Sequence, residues 1–261
     1  PLRITLLSPG QRPVQVTLAP ELPLVSVDPG YYWGWSQLAE WYNQTGKPEA
    51  YLEAAEELIK LRPDHPTPLT MRGEARLQTG DREAGKADLR EALRLAPGYS
   101  PAAAILFDAC LEDDELKDAR TALSVLQEHM TGPEVLVKQL GFAIHTNDTE
   151  AATRAFSELC TTDGEGPPTS MQQAWGEMKG AELEGRAVDA MAEAWRSGEK
   201  FNPWAALYWL DTPAADEAEK WAKEFLEHCR RPAIEKDYAW LAANPLFCTY
   251  KGERWRVLRV H

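Results

Sequence analysis

The chain has 261 residues, 44% of them hydrophobic and 26% charged, which is enough apolar material for one large core or two small ones. Its 28 Lys and Arg stand against 41 Asp and Glu, a net charge of −13 that opposes binding to a nucleic-acid polyanion. No apolar run reaches the ~18 residues a membrane-spanning helix needs, and the N-terminus lacks the basic–apolar–small order of a signal peptide. Pro1 in place of Met is expected of a chain whose Met has been removed or of a piece of a longer chain, the second being favoured.

Residues 1–30 read as a β hairpin. Arg3-Ile4-Thr5-Leu6 and Val14-Gln15-Val16-Thr17-Leu18 alternate at period two across Ser8-Pro9-Gly10. Such a hairpin is barely stable alone, so it is expected to cap the segment C-terminal to it or to be the tail of an upstream domain.

From residue 31 the chain repeats. Trp35–Pro63 and Leu69–Pro97 align without a gap, and Gly46/Gly80 and Pro63/Pro97 are each 34 residues apart. Each block reads as helix, Gly-containing turn, second helix and Pro stop. Glycine adopts the left-handed conformation that ends a helix without a Cβ penalty, and proline cannot continue one. A third block from Ser100 keeps Leu106, Ala119 and Leu123, with Asp114 at the turn and Thr131 at the stop. A fourth from Glu134 keeps Val137, Leu140, Gly141 and Ile144, and needs one deletion to place Ala152 and Phe156. A fifth from Met171 offers Ala181, Gly185 and Ala190, closed by Pro203.

These residues resemble the tetratricopeptide repeat family. Trp35, Leu38, Ala39 and Tyr42 fill the large, Leu, small and aromatic places of its first helix, and Leu69, Gly73, Gly80, Ala92 and Pro97 match in the second block. Arg72 and Arg76 depart where Leu and Tyr are expected. The resemblance implies an all-α, right-handed helical-hairpin solenoid of about five to seven repeats, preceded here by the β hairpin. The expected division is 1–30 hairpin, 31–165 repeats, and 166–261 degenerate Trp-rich helical repeats with a C-terminal cap.

The stretch 161–169, TTDGEGPPT, is expected to act as a hinge. After it come Trp175, Trp195, Trp204, Trp209, Trp221, Trp240 and Trp255, where 42–174 has no Trp. Bulky rings packing in degenerate repeats account for them; a small-molecule pocket is the alternative. Helical spacing continues with Ala218, Trp221, Phe225 and Cys229 on one stripe. The final KGERWRVLRVH sets four basic residues against Glu253 and would suit docking on an acidic body as a cap.

Cys110, Cys160, Cys229 and Cys248 have no CxxC or zinc spacing and are expected to be buried thiols of a reducing, cytoplasmic setting. His228 beside Cys229 suggests a nucleophile and base, yet neighbours on one helix point apart. HExxH, GxSxG, GxGxxG, Walker, kinase and EF-hand patterns are absent. No catalytic residue, cofactor or metal site is therefore expected.

In the resembled family the first helices line the concave surface. Glu40, Glu74 and Asp108 recur there at spacings of 34, the same register continues at Phe142, and Asn43 lies one turn beyond Glu40. The Lys, Arg and Asn clamp for a partner's C-terminal carboxylate is missing, since Ser36, Thr70, Met71, Ala104 and Ile105 occupy those places. The expected function is a protein–protein interaction scaffold that binds a protein or peptide, Lys/Arg-rich by charge complementarity, through Glu40, Asn43, Glu74, Asp108 and Phe142. Nucleic acid and membrane are not expected partners; other domains of the same polypeptide are. The alternative is a substrate-recruiting or regulatory part of an enzyme whose catalytic residues lie upstream of Pro1.

Overall fold

The computed structural model describes residues 2–6, 14–18, 30–162, 168–197, 202, 205, 247–250 and 253–256. The chain divides into two units, residues 1–130 and 131–261. Its fold is all-α, of the helical-hairpin solenoid class, with ten helices among the described residues.

The first unit holds α1 (Tyr32–Gln44), α2 (Pro48–Leu61), α3 (Pro66–Thr79), α4 (Arg82–Leu95), α5 (Ser100–Glu112) and α6 (Leu116–His129). They form three hairpins, and α2 packs on α3, α4 on α5 and α3 on α5. Two strands precede them. β1 (Leu2–Leu6) pairs antiparallel with β2 (Val14–Leu18), from Leu2↔Leu18 to Leu6↔Val14. The second unit holds α7 (Pro133–His145), α8 (Thr149–Cys160), α9 (Pro168–Gly180) and α10 (Glu184–Ser197). Its hairpins stack with α9 on α7 and α10 on α8.

Helix starts follow proline. Pro48, Pro66, Pro101 and Pro133 sit at the first or second position, where the missing N–H would have had no partner. The turns inside the hairpins share one backbone solution. Gly46, Gly80, Asp114, Asn147 and Glu182 all have positive φ, at 65°, 92°, 60°, 56° and 60°. The next N–H reaches five residues back to close the first helix: Lys47 to Tyr42 O at 3.0 Å, Asp81 to Arg76 O at 2.9 Å, and Glu115, Asp148 and Leu183 to Cys110, Ala143 and Met178 at 2.8 Å. This 6→1 bond is the Schellman closure, which satisfies a carbonyl the helix end leaves open.

Small residues let the paired helices approach. Ala39, Gly73, Ala92 and Ala119 are buried. A Cβ on Gly73 would lie 2.9 Å from Gly85 O and 2.9 Å from Leu89 Cγ, so α3 and α4 touch backbone to backbone. Around the first hairpin Ala39, Tyr51, Ala54, Leu58 and Ala75 form a core, with Tyr32, Trp35 and Tyr42 packed against it. In the second unit Leu140, Phe156, Leu159, Met171, Met178 and Met191 form the core. Trp175 packs against that core, as expected of a ring at helical spacing. Asn202, buried, donates from Nδ2 to Leu159 O at 3.2 Å and Thr162 Oγ1 at 2.9 Å, closing the end of α8.

Near the C-terminus β3 (Phe247–Tyr250) pairs antiparallel with β4 (Glu253–Arg256), with Tyr250 opposite Glu253. In the sequence Lys251-Gly252, a dipeptide ending in the chain-breaking glycine, separates these aromatic and β-branched runs. The TTDGEGPPT hinge, the helix with His228 and Cys229, the stripe Ala218–Cys229 and the remaining C-terminal tryptophans' side chains lie largely or wholly outside the described residues. Among the described residues no helix is long and apolar enough to cross a membrane.

Candidate functional site

The first helices of the first unit carry the predicted residues at equivalent register positions, Glu40 on α1, Glu74 on α3 and Asp108 on α5. Glu40 and Asp108 are exposed, whereas Glu74 is half-buried. The structure brings Asn43 and Glu74 together. Asn43 Nδ2 donates to Glu74 Oε1 at 3.2 Å, and Asn43 Oδ1 accepts from Gln78 Nε2 at 2.8 Å. From α2, the buried Tyr51 hydroxyl donates to Glu74 Oε2 at 2.8 Å. Burial first, and then the negative charge and hydrogen bond of Glu74, push the Tyr51 phenol far above its ordinary value, so it remains a donor. Glu40 adds to that shift through its charge, and its Oε1 accepts from Gln44 Nε2 at 2.7 Å. The result is a carboxylate pinned from two sides next to an exposed one.

Phe142 lies in the second unit and is only 8% exposed, because α7 is packed by both α8 and α9 and an apolar ring there goes inward. Its side chain offers a partner little surface.

A second polar cluster ties the hairpins of the first unit. Asp88 on α4, 8% exposed, receives Arg72 bidentately at 2.7 and 2.6 Å and Arg76 at 2.7 Å. The two arginines that departed from the repeat pattern are thus a compensated set, with a buried carboxylate supplied by the facing helix. On the other side of α4, the Lys86 side chain is 1% exposed and its ammonium meets Glu83 at 2.7 Å, Asp113 at 2.9 Å and Glu115 at 2.6 Å. Arg82 reaches Asp113 at 2.7 Å, and Arg90 reaches Asp118 at 2.6 Å. Desolvation opposes the Lys86 charge, but hydrogen bonds to Glu115, Glu83 and Asp113 outweigh it and hold the ammonium charged above its usual range.

Two groups here have the proximity of metal ligands, Cys110 with Glu115 and Asp118, and Glu83 with Asp113 and Glu115. The charge that gathers them is the Lys86 ammonium with Arg82 and Arg90. Burial, then the hydrogen bond to Glu115, pushes the Cys110 thiol up to about 11, so it is a poor thiolate donor. Cys160, also a buried free thiol, is raised further by desolvation.

Sequence reasoning passed over Tyr51, Gln78, Lys86 and Asp88. Tyr51 looks like one more core aromatic of a second helix. Lys86 and Asp88 look like solvated helix charges. Only their partners on neighbouring helices reveal otherwise.

The tetratricopeptide repeat family model matches residues 67–99, which are α3, α4 and their turn. Among solved structures the chain resembles PilW, described as a widely conserved type IV pilus biogenesis factor, at 15% identity and TM-score 0.54 over 75% of this chain and 84% of that one. A tetratricopeptide repeat protein from Parabacteroides merdae gives 13% identity and TM-score 0.52 over 84% and 88%. MamA from Desulfovibrio magneticus gives 17% identity and TM-score 0.50 over 66% and 98%. No curated protein matches in sequence. At these identities the likeness is one of fold, and it agrees with the five turns and the repeat at 67–99: the chain has a tetratricopeptide-repeat-like helical-hairpin fold and carries one matched tetratricopeptide repeat at 67–99.

Proposed function

We propose that the chain is a non-catalytic protein-recognition module whose first-helix face grips a Lys- or Arg-bearing segment of a partner. The observation that carries this reading is the anchored Glu74. Tyr51 and Asn43 hold its two oxygens at 2.8 and 3.2 Å, so a carboxylate is fixed in orientation while still half-exposed, beside the exposed Glu40. A preorganised acceptor loses less entropy on binding a cation than a floppy one. The net charge of −13 adds long-range attraction for basic segments. The buried thiols Cys110 and Cys160 suit a reducing compartment such as the cytoplasm.

The test is charge reversal. Glu40→Lys, Glu74→Lys and Asp108→Lys together should weaken capture of the partner, identified by pull-down and mass spectrometry from the source cells, by at least about tenfold and flatten its salt dependence. Unchanged affinity and salt dependence in the triple variant would remove the proposal.

A further inference from the structure

Among the described residues the exposed large apolar side chains are Tyr31, Trp33 and Trp41, all within α1 or at its N-cap. Trp33 is 54% exposed and Trp41 36%. Trp33, Gln37, Glu40, Trp41 and Gln44 are all exposed and stand at i, i+4, i+7, i+8 and i+11, one outer stripe of the helix. Of the same helix, Gly34 and Ala39 are buried. The rings of α1 already attract cations from their own chain. Lys47 Nζ lies 4.7 Å from the Trp41 ring centroid, and Arg62 Cζ lies 4.3 Å from that of Tyr32. The stripe therefore combines two indole faces with a carboxylate on a strongly acidic protein, a chemistry complementary to cations.

We propose that the Trp33–Glu40–Trp41 stripe makes this surface select arginine over lysine in its partner segment, an inference that rests on the recognition role proposed above. A guanidinium is planar and weakly hydrated. It stacks on an indole while its edge N–H groups reach a carboxylate, whereas a compact, strongly hydrated ammonium gains less from the ring. Spacing adds a second requirement. Trp33 and Glu40 are about 10.5 Å apart along the helix axis at ~1.5 Å per residue, and an extended peptide advances ~3.3–3.6 Å per residue. A segment lying along α1 thus needs its two arginines about three residues apart.

The test uses two fluorescent peptides, (Arg-Gly-Ser)4 and (Lys-Gly-Ser)4, titrated against the full chain at low ionic strength. The wild type should bind the arginine peptide about fivefold to tenfold more tightly. Trp33→Ala and Trp41→Ala together should bring the ratio within about twofold, the arginine peptide losing more affinity than the lysine peptide, and (Arg-Gly-Ser-Gly)4, with the same four arginines at a shifted spacing, should bind more weakly than (Arg-Gly-Ser)4. Both tryptophans are exposed, so an unchanged thermal transition verifies folding; Trp33→Ala alone, further from the core, repeats the test should the pair perturb it. Equal affinities in the wild type, or a ratio that survives both substitutions, overturns the arginine selection and leaves the acidic-face reading standing. Loss of both peptides in the charge-reversed triple variant upholds that reading, and failure of the wild type to bind either peptide overturns both. A dimer that Trp33→Ala converts to monomer would show the stripe to be a self-association surface and overturn the selection.

Discussion

Removing the Asp88 carboxylate should weaken the first unit far more than removing any exposed acid. Asp88 is 8% exposed and accepts three short hydrogen bonds from Arg72 and Arg76. Deleting one partner of a buried ion set costs about 3–5 kcal/mol because the remaining charge is stranded. The arginine side chains here keep 22% and 24% exposure and can partly turn to water, so Asp88→Ala is expected to cost about 2–3 kcal/mol. For a unit of 130 residues that is a fall in melting temperature of roughly 10 °C, readable by circular dichroism with urea titration as a check. The decisive comparison is the triple variant Arg72→Leu, Arg76→Tyr, Asp88→Ala, which restores the repeat family's apolar pair. Apolar replacement of a whole buried ion set is often neutral or stabilising, so the triple should regain most of the loss. A single variant within about 0.5 kcal/mol of wild type, or a triple no better than the single, would refute the argument.

Gly73→Ala should destabilise by about 1–2 kcal/mol, since overpacking against Gly85 O outweighs the helix-propensity gain. Gly185→Ala, whose Cβ would meet nothing within 4 Å, should stabilise by about 0.5–1 kcal/mol; both are read from urea unfolding, and equal signs would contradict the packing account. Hydrogen bonds from Arg82 and then Lys86 hold Asp113 below its usual range, and the one from Lys86 does the same for Glu115. A depressed carboxylate contributes stability above its unfolded value and loses it as the pH falls through the folded one. Thermal stability should therefore decline below about pH 4.5. The decline should be shallower in Lys86→Met, where Arg82 alone still holds Asp113, and an unchanged acid slope in that variant would count against the lysine-centred cluster.

What could be read in advance was whatever a single residue type dictates locally. Gly46 and Gly80 announce left-handed corners, and Pro63 and Pro97 forbid further helix, so the first two hairpins follow from the letters themselves. Glu182 makes the same corner without any such signal. The β3–β4 pair was obscured by its shortness, although Lys251-Gly252 carried the hint. At the candidate site Glu40, Glu74 and Asp108 fall at equivalent positions of α1, α3 and α5, as their spacing of 34 implies. That spacing gave no sign that Tyr51 would reach across to Glu74, or that Asp88 would collect Arg72 and Arg76, since these pairs are separated by 12 to 23 residues and meet only after packing. Phe142 shows the converse failure: register fixes a helix position, while the neighbours of that helix decide whether it is wet.

The shared hydrogen bond at the five corners makes the path of the chain tolerant of its spelling. Because main-chain atoms alone reverse the chain there, drift in the side chain at that point leaves the path of the polypeptide intact. Within this one chain glycine, aspartate, asparagine and glutamate all serve at that point, so the spelling of the period fades along the sequence while each bend keeps the same course in space.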